Sequence, residues 1–164
     1  MLQVLKNAFC TPLYIQIWEN RIKVTNIKSG DVFETQPYVA ILTTDKGQRR
    51  ILDIGYDART RAAENVKVIN PFSHPRTLLG DFEVATKLIQ YTTHEASKSK
   101  PFLSRNIAVI HPMEKTEGGL SFFESKALTE LAQSAGMTRV HIHEGTEIDT
   151  SNFDINIFSK PKRP

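Results

Sequence analysis

His141, Ile142, His143 and Glu144 come closest in this chain to a metal-binding pattern. On an extended strand alternate side chains share a face, so both imidazoles would point the same way, as a divalent metal needs. Glu144 then points to the other face. A third ligand has to come from elsewhere, and His111, at the end of another apolar run, is the candidate. Surface or hydrogen-bonded histidines at a strand end are the simpler reading and the favoured one. Cys10 is a poor nucleophile, because no base accompanies it and an ordinary thiol is mostly protonated. Asp31, Asp53, Asp57 and Asp81 fall at turns and caps, which accounts for them without catalysis. Gly118-Gly119 lacks the strand, lysine and serine of a phosphate loop and reads as a flexible loop. Phe122-Phe123 should divide between core and interface, since adjacent helix positions face different ways.

The stretch that organises these residues is Leu13 to Ile27. Leu13, Ile15 and Ile17 alternate with Tyr14 and Gln16, and Ile22, Val24 and Ile27 resume after a polar tip at Glu19, Asn20 and Arg21. That is the pattern of a tight β-hairpin. In several nucleotide-binding folds the turn after the first strand cradles phosphates on backbone N–H groups, which requires glycine. Trp18 and Glu19 stand there instead, and an indole and a carboxylate obstruct and repel a phosphate.

Composition narrows the class. With 164 residues, 40% hydrophobic and 24% charged, the chain can bury one proper core, so one domain is expected. The formal charge of +3 is spread out except at Arg49-Arg50 and at Lys160, Lys162 and Arg163, which does not argue for nucleic acid. A single cysteine excludes an internal disulfide framework and a multi-cysteine zinc site, and makes a reducing cytoplasm the expected setting. No apolar run reaches the roughly 20 residues of a membrane span, and the start lacks a signal-peptide core. A soluble or at most peripheral protein is expected.

Met1 to Phe9 places Leu2, Leu5 and Phe9 near helical spacing. This is either a membrane-surface foot, poorly served by its one lysine, or a terminal turn packed on the domain; the latter is favoured. Strands are expected at Val32 to Glu34, Tyr38 to Thr44, Gln48 to Ile54 and Val66 to Ile69, with a short helix after Asp57. Asp81 caps a helix through Ala96 that buries Phe82, Ala85, Leu88, Ile89 and Thr92 or Thr93. Asn106 to His111 reads as a strand buried on both faces. Ser121 and Glu124 form a capping-box spacing for a helix that Gly136 stops, and Met137 to His143 returns as a strand. Strand, helix and strand in that order suit a parallel βαβ unit. Phe153 to Phe158 alternates like a last edge strand.

Hairpin, third strand, long helix, buried strand, helix, strand is the order of an actin-like or ribonuclease-H-like half. Several segments keep that order: MLQVLKNAF at the start, Pro37 to Ile41, Gly55 to Ala58, Gly80 to Phe82, Glu124 to Gly136, and Arg139-Val140. On these pieces the chain resembles the N-terminal half of MreB, the bacterial actin homologues that determine rod shape. The resemblance implies an α/β half-domain, a mixed sheet with helices. Residues 1–9 would form an amphipathic segment, 10–145 the actin-like half-domain, and 146–164 a divergent strand and tail.

The resemblance also locates departures. The family's first phosphate loop, Asp-Leu-Gly-Thr, falls at Gln16, Ile17, Trp18 and Glu19, which implies that metal and phosphate contacts are lost and that no cofactor is bound. The family's Glu-Glu-Pro segment, tied to hydrolysis, falls at His143, Glu144 and Gly145, so only Glu144 inherits a catalytic candidacy. The loop from Glu114 to Gly119 is extra. The expected function is non-catalytic binding, as a regulator or scaffold of cell-shape machinery, with full-length MreB among the candidate protein partners. A cytoplasmic place at the inner face of the membrane follows from the same comparison. Leu2, Leu5, Phe9, Trp18 and Arg21 are then the contact surface. The alternative is an ATPase completed by oligomerisation or a second chain. A ribonuclease-H-like nuclease needs clustered carboxylates on the first strand, and Gln16 argues against it. Oligomeric state is left open.

Overall fold

A computed structural model describes residues 9–99 and 104–159. The expected hairpin is present: β1 (Cys10–Ile17) and β2 (Ile22–Asn26) pair antiparallel, with Ile17 opposite Ile22 and the tip between them. The Trp18 N–H donates to the Arg21 carbonyl at 2.8 Å and closes the turn. β3 (Val32–Thr35) pairs with β2. The turn between them is organised by Asn26, whose buried amide oxygen accepts from the N–H groups of Lys28 and Ser29.

A smaller antiparallel sheet follows, β4 (Val39–Thr43) between β5 (Arg49–Ile54) and β6 (Val66–Ile69). α1 (Phe82–Ala96) leads to β7 (Arg105–Pro112), and α2 (Phe122–Ser134) leads to β8 (Val140–Ile142). The main sheet has the order β3-β2-β1-β7-β8, antiparallel through β1 and parallel from β1 to β8. The β7-α2-β8 unit is therefore parallel, as its sequence order predicts.

Alternation along β1 decides the two faces of this sheet. Leu13, Ile15 and Ile17 join Ile22, Val24 and Ala108 in a core closed by Ala85, Leu88 and Ile89 of α1 and Leu128 and Leu131 of α2. Burying such side chains contributes about 1.5–3 kcal/mol each. The opposite face presents Tyr14, Gln16 and His111, all within 2% of complete burial. Polar groups buried to that extent require partners.

Helix ends follow their sequence signals. The Asp81 carboxylate accepts from the Val84 N–H, and Ser121 and Glu124 form the reciprocal capping box. Gly136, at φ +101, ends α2 with its N–H on the Gln133 carbonyl and the Met137 N–H on that of Ala132, a Schellman arrangement.

Five expectations are corrected. The helix after Asp57 is only a 3-10 turn, Asp57–Thr60, because eight residues with no side-chain cap do not sustain a helix. Asp57 is its first-turn acid. Phe82 is not on the buried stripe of α1; Val84 is, and Phe82 lies exposed. The last strand is confined to Val140–Ile142, because the Schellman turn takes up Met137. Phe153 to Phe158 is not a strand: 3-10 turns occupy Thr150–Asn152 and Ile155–Ser159. There Asp149 and Asp154 accept from the N–H groups of Ser151 and Asn156, local bonds that compete with a ladder. Phe122 and Phe123 do not divide between core and surface, being 74% and 80% exposed.

Candidate functional site

The C-terminal ends of β1 and β7, with the hairpin tip, gather most of the residues that the sequence singles out. β1 carries Gln16 inward and passes into Trp18 and Glu19. Trp18 is half-buried, and the Arg21 guanidinium lies 3.7 Å from its ring centroid. Arg21 also reaches Glu34 at 3.7 Å. The indole is therefore roofed by a cation and only partly open to solvent.

The extra loop has a clear structural role. The Glu114 carboxylate accepts from the Glu19 N–H at 2.6 Å, and the Lys115 ammonium pairs with the Glu19 carboxylate at 2.9 Å. Lys115 also donates to the His74 carbonyl, and Asn70 donates to the Glu19 carbonyl at 2.7 Å. Lys115 holds φ at 58°, a left-handed conformation uncommon for a side-chain-bearing residue, and these two contacts of its ammonium hold it there. Between tip and loop lies an open polar cleft of about 560 Å³, lined by Asn20, Tyr38, Asn70, Ser73, Glu114 and Glu117 among others. Three carboxylates against one ammonium make it a poor host for an anion.

Behind the tip, the residues from Glu144 to Ile148 lie across the strand ends. His111 donates from Nε2 to the Gly145 carbonyl at 3.1 Å, so Nδ1 is the acceptor for the Tyr14 hydroxyl at 2.5 Å. The Tyr14 oxygen accepts in turn from the Ile148 N–H at 3.2 Å. Gln16 donates to Glu147 at 2.9 Å, and His143 donates to the Thr146 carbonyl at 2.8 Å. Burial, followed by the neighbouring His143, holds the His111 pKa below the ordinary histidine range. Burial raises that of Tyr14.

These contacts decide the remaining candidates. His111 packs edge-on against His143, at 4.6 Å between ring centroids, and His141 is not in that pair. Among the described residues no group of three or more His, Cys, Asp or Glu side chains could hold a metal. Glu144 accepts from the Leu120 N–H at 2.8 Å, just before α2, a structural contact that fixes the loop end. Cys10 is buried and accepts from Arg139 at 3.3 Å. Phe9 is 56% exposed, while Leu2 and Leu5 lie outside the described residues. Sequence reasoning missed Tyr14 and Glu114. Tyr14 is hidden because a strand tyrosine reads as packing, and Glu114 because its partner is a backbone group almost a hundred residues away.

A family model described as MreB/Mbl protein matches residues 18–160. No curated protein gives a significant sequence match. Among solved structures the chain is similar to MreB5 of Spiroplasma citri bound to ADP, with a TM-score of 0.62 and 16% identity over 82% of this chain and 38% of that one. The AMPPNP-bound form of MreB5 gives 0.62 and 17% over the same shares. A non-polymerising mutant of MamK bound to AMPPNP gives 0.63 and 15%, over 82% of this chain and 41% of that one. The chain thus spans about two-fifths of the length of these structures, and at such identities the likeness shows the fold alone. With most of its length matched by the family model, the chain belongs to the MreB/Mbl family.

Proposed function

We propose, with membership of the MreB/Mbl family as the premise, that this actin-like chain acts by binding a protein partner and does not hydrolyse nucleotide. The observation that carries this reading is the Glu114 carboxylate on the Glu19 N–H at the first hairpin turn. A backbone donor that a phosphate would use is taken by the chain's own anion, beside a bulky Trp18. The buried amide of Gln16 replaces a carboxylate at the metal-facing position, and Glu144 is engaged by a backbone N–H. The partner class is a filament-forming relative or its cell-shape associates, in the cytoplasm or at the inner face of the membrane. Phe9, with Leu2 and Leu5, and the Trp18-Arg21 pair supply the contact surface. No helix among the described residues is long and apolar enough to cross a membrane.

A second reading has one observation in its favour. Its structural neighbours are described as bound to ADP or AMPPNP, which favours an ATPase completed by oligomerisation or a second chain. Thermal denaturation separates the two, because a ligand that binds only the native state raises its melting temperature. A flat response to millimolar Mg-ATP, with co-sedimentation of the chain with full-length MreB, is expected for the binding protein. A rise that grows with protein concentration would replace that reading with the assembled ATPase.

A further inference from the structure

The extra loop after β7 has both ends fixed. The Met113 N–H donates to the Ile17 carbonyl at 2.9 Å, and the Leu120 N–H donates to the Glu144 carboxylate at 2.8 Å. Between these anchors Glu114, Lys115 and Glu117 form one wall of the polar cleft, and Glu114 and Lys115 reach across to Glu19. We propose that residues 114–119 are a flap, latched on Glu19, that lifts to widen the cleft while the hairpin tip beneath it stays formed.

The flap grips Glu19 at two of its groups, the N–H through Glu114 at 2.6 Å and the carboxylate through Lys115 at 2.9 Å. The Glu19 carbonyl is held from elsewhere, by Asn70, and the Trp18 N–H on the Arg21 carbonyl closes the turn. Neither of those bonds involves the flap, so the tip keeps its shape when the flap lifts. The latch lies near solvent, with the Glu19 and Lys115 side chains 48% and 21% exposed. Ion pairs so placed are weak and are screened by salt. Closure also carries a cost of its own: Lys115 stands at φ 58°, and lifting frees it to leave that crowded region. Gly118 and Gly119, at φ +82° and +84°, supply the joint beside Leu120, and a Cβ on Gly118 would meet nothing within 4 Å. A loop with fixed ends, a joint and a weak latch opens locally, without unfolding the sheet. Lifting frees the N–H and carboxylate of Glu19 and opens the side of the cleft that faces Asn70 and Ser73. The flap needs no ligand, so its test is separate from that of the proposed function.

The test is solvent exchange of the Glu19 and Trp18 backbone amides, followed by NMR on the full chain at about 50 mM and about 500 mM NaCl, a range over which exposed ion pairs are progressively screened. Exchange at Glu19 several-fold faster in high salt is expected, with Trp18 unchanged because its bond lies within the tip. Lys115→Ala is expected to exchange at Glu19 in low salt about as fast as the native chain does in high salt, and to gain little more from added salt. A Glu19 amide that responds neither to salt nor to Lys115→Ala overturns the proposal. So does acceleration of Trp18 together with Glu19, which means that the whole tip frays. Lys126→Ala removes an exposed lysine of α2, outside the flap, and the same acceleration there would assign the effect to net charge and overturn the proposal as well. The salt comparison uses the native chain, so the proposal is decided even if Lys115→Ala fails to fold.

Discussion

Two single residues show how tightly the tip and its surroundings are specified. Gly55 holds φ at +97°, and a Cβ there would lie 2.3 Å from the Thr35 hydroxyl. Thr35 ends β3, so the substitution strains the backbone and pushes against the main sheet together. Gly55→Ala is expected to lose about 2–3 kcal/mol in urea denaturation. Glu114 is the contrasting case. Its bond to the Glu19 N–H is exposed, so in Glu114→Ala water replaces the carboxylate and the loss is about 0.5–1 kcal/mol by the same measurement. A much larger loss would mean that the loop holds the hairpin in shape, and that the turn is not merely closed by it.

The helices carry their own tests. In α2 the Ser121 side chain accepts from the Glu124 N–H, and Glu124 returns bonds to the Ser121 backbone and hydroxyl. Ser121→Ala is expected to cost about 1 kcal/mol, read from the shift in the denaturation midpoint. The Ser121 contacts depress the Glu124 pKa. The box therefore contributes fully above the ordinary carboxylate range and is lost as pH falls through the depressed value, so the difference between wild type and Ser121→Ala should shrink in acid. Both helices, the hairpin and the βαβ unit were legible because each is written in local periodicity and capping. Phe153 to Phe158 was misread because alternation says nothing about the aspartates beside it, which capture N–H groups locally. The candidate site was half legible. Gln16, Trp18 and Glu19 stood out by residue type, whereas the Tyr14-His111 pair and the Glu114 contact join positions that only the folded sheet brings together.

At the scale of the molecule, the main sheet has one apolar and one polar face, and the polar face is covered by chain beyond His143. The helical side carries an unusual feature. Phe122 and Phe123 stand exposed beside an apolar groove of about 230 Å³ that includes Leu78, Leu79 and Leu120. Because neither ring is buried within the chain, Phe122→Ser with Phe123→Ser should leave the unfolding free energy within about 0.5 kcal/mol for each substitution. Light scattering on the same pair of proteins measures whether these rings set solubility. A large loss of stability that depends on concentration would place the rings in a self-contact in solution.

The pairing of β1 with β7 has a consequence for synthesis. Ile17 lies beside Pro112 in register, so the central strand gains its second neighbour only after the entire small sheet and α1 have been made. At about 5–20 residues per second, that leaves the hairpin's inner edge open for roughly 5–20 s on the ribosome. During that interval an apolar strand with unpaired backbone groups is the part of the nascent chain most exposed to wrong pairing. Slow translation through residues 60–100 should therefore lower the yield of native protein, and a chaperone that shields extended apolar chain should restore it.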